Sequence, residues 1–274
     1  MPPTIIAQIS DLHIGLPDGD MDRQVGTADY LAAAVKHLNE LEPGPDLVVI
    51  SGDLVDKREA GEYQRLRGLL DPLAMPYLLM VGNHDHRARL RDAFSDHGYL
   101  NRGPGDFIQY CHEAGDLNLI VLDTLIDGSA EGELCELRLA WLDEALRQHD
   151  PSRTMIFMHH PPFRTGIELM DGMGLRDAEA FLDILQRHAP VLRVQCGHLH
   201  RPIQKLAAGT LIATAPSAAH QIALDLKAGG GLAIAFEPPA ALLHVWFGPE
   251  DGLITHQSYI GDFRQIDLTK YFRK

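Results

Sequence analysis

Cysteine is nearly missing: the 274 residues hold three, Cys111, Cys135 and Cys196, odd in number and widely separated. They form no C-x-x-C pair and no disulfide framework. That fits a reducing compartment, with each thiol read as a small apolar residue. Long apolar runs are missing too, since nothing nears the ~20 residues that span a bilayer. The first residues, MPPTIIAQIS, show neither a basic region nor a cleavage site before a strand pattern begins. A cytoplasmic protein with no membrane partner is therefore expected. Cations are scarce: 24 Lys and Arg stand against 38 Asp and Glu, a net charge of −14. Such a surface repels a long nucleic acid, and no strong basic tract interrupts it; His86 to Arg91, with three Arg in a helical stretch, comes nearest.

What remains is ordinary for a soluble globular chain, 45% hydrophobic and 23% charged, with no internal repeat or low-complexity segment. Apolar runs of strand length (Ile5–Ser10, Leu47–Ser51, Tyr77–Val81, Asn118–Asp123, Thr154–Met158, Leu192–Cys196) alternate with helical patterns (Ala28–Leu41, Glu62–Leu70, Arg87–Phe94, Glu136–His149, Asp177–His188). Tyr30, Leu31, Ala34, Val35 and Leu38, for instance, share one helical face. The alternation predicts an α/β layered fold around a largely parallel sheet. After about Thr210 the texture changes to short strands (Gly209–Thr214, Gly231–Phe236, Ala241–Phe247, Leu253–Ile260) separated by Gly and Pro turns. This β-rich tail reads as an appendage, a second sheet layer or a dimerisation arm.

Fifteen His is a high count, and their placement carries the functional signal. In open α/β sheets ligands bind outside the carboxyl ends of the strands. Here five strands run out into Ser10-Asp11-Leu12-His13, Gly52-Asp53, Gly82-Asn83-His84-Asp85, His159-His160-Pro161-Pro162 and Gly197-His198-Leu199-His200. A lone Asp or His after a strand is usually a turn-former or cap. Five such endings together exceed what capping explains, and the i, i+2 pairs Asp11/His13 and His198/His200 can point the same way from extended backbone. The glycines at 52, 82 and 197 are expected to let the backbone bend as each strand ends. A nitrogen and oxygen donor set without thiolate suits Zn, Mn, Fe or Co.

In the order D-x-H, G-D, G-N-H-D, H and G-H-x-H, these blocks resemble the calcineurin-like metallophosphoesterases, and within them the class III cyclic-nucleotide phosphodiesterase and glycerophosphodiesterase branch. The resemblance spans Asp11 to His200. It implies a layered sandwich of two β-sheets flanked by helices, with a small β-rich C-terminal appendage: a catalytic domain over 1–214 and a cap or dimerisation segment over 215–274. It also implies two divalent ions, one held by Asp11, His13, Asp53 and His200, the other by Asp53, Asn83, His159 and His198, with Asp53 bridging. His84 would be the catalytic residue facing substrate, Asp56 would orient it by a hydrogen bond, and Asn83 and His220 would lie near the phosphate. Asp85 is expected to brace its loop, and His160 to pack beneath the metals.

The activity so implied is hydrolysis of small phosphodiesters, cyclic nucleotides or glycerophosphodiesters, by hydroxide formed at the metal pair attacking phosphorus. Apolar candidates for the walls, Leu16, Pro17, Phe163 and the Leu169–Leu175 loop, favour a singly charged diester with two organic groups. A phosphomonoesterase is the nearest rival. Its protein-phosphatase branch is disfavoured, because Gly-Asp-Leu-Val-Asp-Lys-Arg and Gly-Asn-His-Asp stand where G-D-x-x-D-R-G and G-N-H-E would be. A single-strand nuclease is disfavoured by acidity, and a non-catalytic scaffold by the full ligand set. The strand-rich tail invites a homo-oligomer, dimer or higher.

Overall fold

The computed structural model describes residues 2–272. Its strands are β1 (Thr4–Ile9), β2 (Leu47–Ser51), β3 (Tyr77–Met80), β4 (Tyr110–Ala114), β5 (Leu117–Val121), β6 (Thr154–Phe157), β7 (Arg193–Cys196), β8 (Gln204–Ala207), β9 (Thr210–Thr214), β10 (Gln221–Ile222), β11 (Ile234–Ala235), β12 (Ala240–Trp246) and β13 (Leu253–Tyr259). They form two main sheets rather than one, ordered β13-β12-β1-β2-β3 and β4-β5-β6-β7-β9-β8, with β10 and β11 paired separately. The first sheet is parallel from β1 to its β3 edge and antiparallel on the β12–β13 side; the second is parallel at its centre (β5-β6-β7-β9) and antiparallel at both margins.

Side-chain alternation explains the layers. Along β5, Leu119 and Val121 join a core shared with β1 and β2, whereas Ile120 joins a second core. On β6, Met155 and Phe157 face the first core, and Ile156 faces the second. A strand covered on both faces reads as an unbroken apolar run, which is why the sequence shows runs rather than alternation. The outer faces take helices. Leu31, Ala34, Val35 and Leu38 of helix Thr27–Glu40 pack with the first core, and Leu142, Ala145 and Leu146 of helix Glu136–Gln148 with the second. Full burial of each such Leu stabilises by roughly 1.5–3 kcal/mol. Helix Ala60–Leu70 is set by a capping box between Glu59 and Glu62.

The tail divides. β12 pairs antiparallel with β1, and β13 closes that edge, so residues 240–259 complete the first sheet. The small β10–β11 hairpin instead stands at the strand ends. The three cysteines are free thiols; Cys196 is buried, while Cys111 and Cys135 are partly exposed, so only the first is the buried apolar residue expected.

Candidate metal centre

All five strand endings converge at one edge of the sandwich. Asp11 and His13 follow β1, Asp53 follows β2, Asn83 and His84 follow β3, His159 follows β6, and His198 and His200 follow β7. Main-chain bonds tie the endings together: Asp11 N–H donates to Gly52 O (3.1 Å) and His13 N–H to Asp53 O (2.9 Å). Asp11, His13, Asp53, His198 and His200 all have positive φ, between 46° and 70°. Non-glycine residues there cost of order 1–3 kcal/mol each and persist only where the surroundings fix them. The i, i+2 pairs therefore converge through left-handed turns, not through extended backbone. Of the strand-end glycines, Gly52 alone bends through positive φ (87°), and a Cβ there would lie 2.5 Å from His159 Nδ1. Gly82 is required by close approach instead, since a Cβ would strike the Asp53 carboxylate.

The ligand atoms face one another. His13 Nε2 lies 3.1 Å from His200 Nε2 and 3.6 Å from Asp53 Oδ2. His159 Nε2 is 3.3 Å from Asp53 Oδ2 and 3.2 Å from Asn83 Oδ1, and His198 Nδ1 is 3.0 Å from the same Asn83 oxygen. His200 Nε2 is 3.6 Å from Asp11 Oδ1. Thus Asp53 touches both halves of the cluster. Donor chemistry tests whether cations fit. His159 donates Nδ1–H to Ser51 O (2.9 Å) and His200 donates Nδ1–H to His220 O (2.9 Å), so both Nε2 lone pairs point inward. Asp11 Oδ2 is buried with no hydrogen-bond partner. Asp11 and Asp53 have no Lys or Arg ion pair among the described residues. Two buried carboxylates, inward lone pairs and an amide oxygen are a donor set that divalent ions complete.

The electrostatics agree. Burial pushes Asp11 up to about 7. Burial also pushes Asp53 up, but His159, His84 and His13 outweigh it and hold that carboxyl well below its usual range. Burial alone would lower His159; Asp53 and Asp11 carry it up to about 9, so it shares a proton that a cation would displace. Burial lowers His198 to about 3 and His200 to about 4, keeping both rings neutral.

The other candidates fall around this cluster. His84 N–H donates to Asp53 Oδ1 (2.8 Å), and its Nδ1 donates to the main-chain oxygen of Asp56 (2.8 Å). Asp56 thus holds His84 through its carbonyl, which any residue could supply, while its carboxylate lies 3.9 Å from His13 Nδ1. Burial lowers the His84 pKa, but Asp53, the Asp56 carbonyl, and the Asp56 and Asp85 carboxylates outweigh it and leave a net rise. Asp85 braces the loop by accepting from Gly82 N–H (2.8 Å), Leu54 N–H (3.1 Å) and Tyr63 O–H (3.1 Å). His160 packs beneath, its nitrogens against Thr124 Oγ1 (2.7 Å) and Ala130 O (3.2 Å). The His220 ring stands 4.7 Å from that of His200, with Nδ1 unpartnered.

A cavity of about 310 Å³ opens on these groups. Met170 and Met173 form one wall, as the loop reading expected, but Leu16, Pro17 and Phe163 do not line it. Ile222, Leu232 and Ile234 of the β10–β11 hairpin supply further walls; β11 lies within the strand expected over 231–236, whereas β10, two residues long, leaves no periodic signal.

Comparison with known proteins agrees with this geometry. The family model for calcineurin-like phosphoesterases matches residues 4–202, and the chain belongs to that family. A probable glycerophosphodiester phosphodiesterase of Arcobacter nitrofigilis is 35% identical over 260 residues, 94% of each chain. A cAMP/cGMP dual specificity phosphodiesterase of Mycobacterium tuberculosis is 33% identical over 233 residues, 84% of this chain and 72% of that one. Among solved structures, a dimetal phosphatase from Danio rerio superposes with a TM-score of 0.65 at 16% identity, covering 95% of this chain and all of that one, and shares the fold.

Proposed function

We propose that the chain is a phosphodiesterase that hydrolyses small diesters, cyclic nucleotides or glycerophosphodiesters, with two divalent ions. One observation carries the reading: the carboxylate and histidine cluster opens into a cavity whose other walls are Met and aliphatic, with no Lys or Arg among its lining residues. A dianionic monoester calls for cations around it, whereas a diester carries one charge and two organic groups. The names of the two phosphodiesterase relatives point the same way.

Asp11, His13, Asp53 and His200 would hold one ion, and Asp53, Asn83, His159 and His198 the other. Divalent ions so held would activate water and offset charge on the phosphoryl oxygens. With Nδ1–H engaged by the Asp56 carbonyl, His84 would present Nε2 to substrate, where a proton would serve the departing alkoxide. His220 and Asn83, which both line the cavity, would lie near the phosphate. Residues 1–214 would carry the catalytic residues, and 215–274 would serve them in three ways: β12 and β13 complete the first sheet, the β10–β11 hairpin walls the cavity, and exposed Phe236, Phe263 and Ile266 offer a surface for self-association. Light scattering tests the latter; a monomer at all concentrations refutes it.

The test of activity is a panel of bis(p-nitrophenyl) phosphate, p-nitrophenyl phosphate, 3′,5′-cyclic AMP, 2′,3′-cyclic AMP and glycerophosphoethanolamine, with Mn, Zn, Co or Fe. Diester turnover abolished by chelator is expected. Cleavage of the monoester alone would overturn the substrate class, and no cleavage of any would leave a metal-binding scaffold.

A further inference from the structure

We infer that a second ligand site lies between the two sheets, away from the metal centre, and takes a small hydroxyl-bearing anion such as a 2-hydroxycarboxylate or hydrogenphosphate. The site is a cavity of about 220 Å³ framed by β7, β8 and β9 on one side and β12 and β13 on the other. Arg193 and Gln195 of β7 point into it, opposite to Val194 and Cys196, which pack in the outer core. Thr214, Gln204, Thr255 and Gln257 also line it.

Three observations converge. Gln195 is 0% exposed, and neither atom of its amide has a hydrogen-bond partner in the protein. Buried polar groups are nearly always paired, and an amide left without partners on both atoms is destabilising at each unmet group. Arg193 is half-buried, and its Nε is buried without a partner. Its Nη1 donates to Thr255 Oγ1 (3.2 Å), but it has no ion pair among the described residues, and burial pulls its pKa down. In a chain with 38 carboxylates and a net charge of −14, the lining of this cavity holds a guanidinium and no carboxylate.

Water could satisfy the amide or solvate the half-buried guanidinium separately, but one anion meets the buried Nε and the amide together and offsets the charge. An anionic oxygen would accept from Arg193 Nε and Gln195 Nε2. The free Gln195 Oε1 asks for a donor as well, which a hydroxyl provides and a simple carboxylate or sulfate does not. The interior beyond is already satisfied. Arg193 donates to Thr255, whose hydroxyl donates to His244 Nδ1 (2.9 Å); His244 Nε2–H donates to Gln8 Oε1 (3.2 Å), and Gln8 Nε2 to Ser51 Oγ (2.8 Å). The unmet groups are therefore confined to the cavity side.

The experiment is an NMR titration of the zinc-loaded protein that follows the Gln195 side-chain NH2 with L-lactate, phosphate and acetate, repeated on Arg193→Met. Saturable shifts with lactate or phosphate are expected, about tenfold weaker for acetate, which lacks the donor, and about tenfold or more weaker in the variant. Subtracting the variant removes any contribution from the metal centre, and the tighter of lactate and phosphate names the source. Equal titrations in wild type and variant would overturn the site. Should Arg193→Met fail to fold, crystals of the wild type grown in lactate decide: anion density against Arg193 and Gln195 supports the proposal, and water alone refutes it.

Discussion

At its carboxyl end β7 delivers His198 and His200 into a cluster of buried carboxylates and inward nitrogen lone pairs. Earlier in the same strand, Arg193 and Gln195 face a cavity with a cation and no carboxylate. The two regions carry opposite charge and use opposite backbone. The strand ends hold five residues in left-handed conformations, while the cavity is lined largely by regular strands. Strain and unbalanced negative charge mark the place where a strong, permanent ligand offsets both. Unstrained strands with one unbalanced positive charge mark a weaker, exchangeable one.

Removing the shared carboxylate breaks the first half of this contrast most severely. Asp53→Ala is expected to lose bound metal and at least ~10³-fold in diester turnover, because Asp53 touches ligands of both halves. Metal analysis and initial rates check it; an Asp53→Ala protein that keeps two ions per chain would dissolve the bridging assignment. His84→Ala should retain metal and lose ~10²–10⁴-fold, the range of a positioned acid. The loss should be greater for an alkyl than for a p-nitrophenyl leaving group, which needs no proton. An equal loss on both leaving groups would assign His84 to positioning alone.

The metal half of the contrast was legible from sequence because its residues are chemically loud. Asp, Asn and His after Gly, at the ends of apolar runs, have few structural uses in common. Central strands were equally visible, being covered on both faces. The margins of the second sheet were not. β4 reads Tyr-Cys-His-Glu-Ala and β8 Gln-Lys-Leu-Ala, edge strands whose polar residues face water and break the apolar run. β10 is too short for any period. Nor could the two-sheet division be read from β12 and β13, since their pairing with β1 joins opposite ends of the chain. The Arg193 cavity was silent for a related reason: a Gln and an Arg in a strand look like surface residues until a second sheet covers them.

The second half of the contrast has its own pH signature. His244 is buried between Gln8, Thr255, Arg193 and the Phe157 ring, and burial, then the Arg193 charge, lower it to about 3. A histidine depressed in the folded state favours folding fully above its unfolded value of about 6.5 and withdraws that contribution as pH falls toward 3. The two values cap the loss at roughly 5 kcal/mol. His244→Gln removes the titration, so urea midpoints measured from pH 7.5 down to pH 4 should fall less steeply than in the wild type. Parallel slopes would show that His244 does not carry the acid limb.

The smallest effect discriminates best. Arg193→Met removes the nearby charge that helps depress His244 after burial, so the His244 pKa should rise slightly and the acid limb should soften a little. An anion seated on the guanidinium should do the same in the wild type, because a neutralised Arg193 no longer repels a proton on His244. Titrating the His244 ring protons with and without phosphate, which keeps a charge and a hydroxyl at the low pH where His244 titrates, therefore reads the cavity from its inner side. A rise in the wild type that is absent from Arg193→Met places the anion on the guanidinium. An identical response in both proteins places it elsewhere, and the cation in the sheet interior would then be balanced only by the hydroxyl of Thr255 and by water.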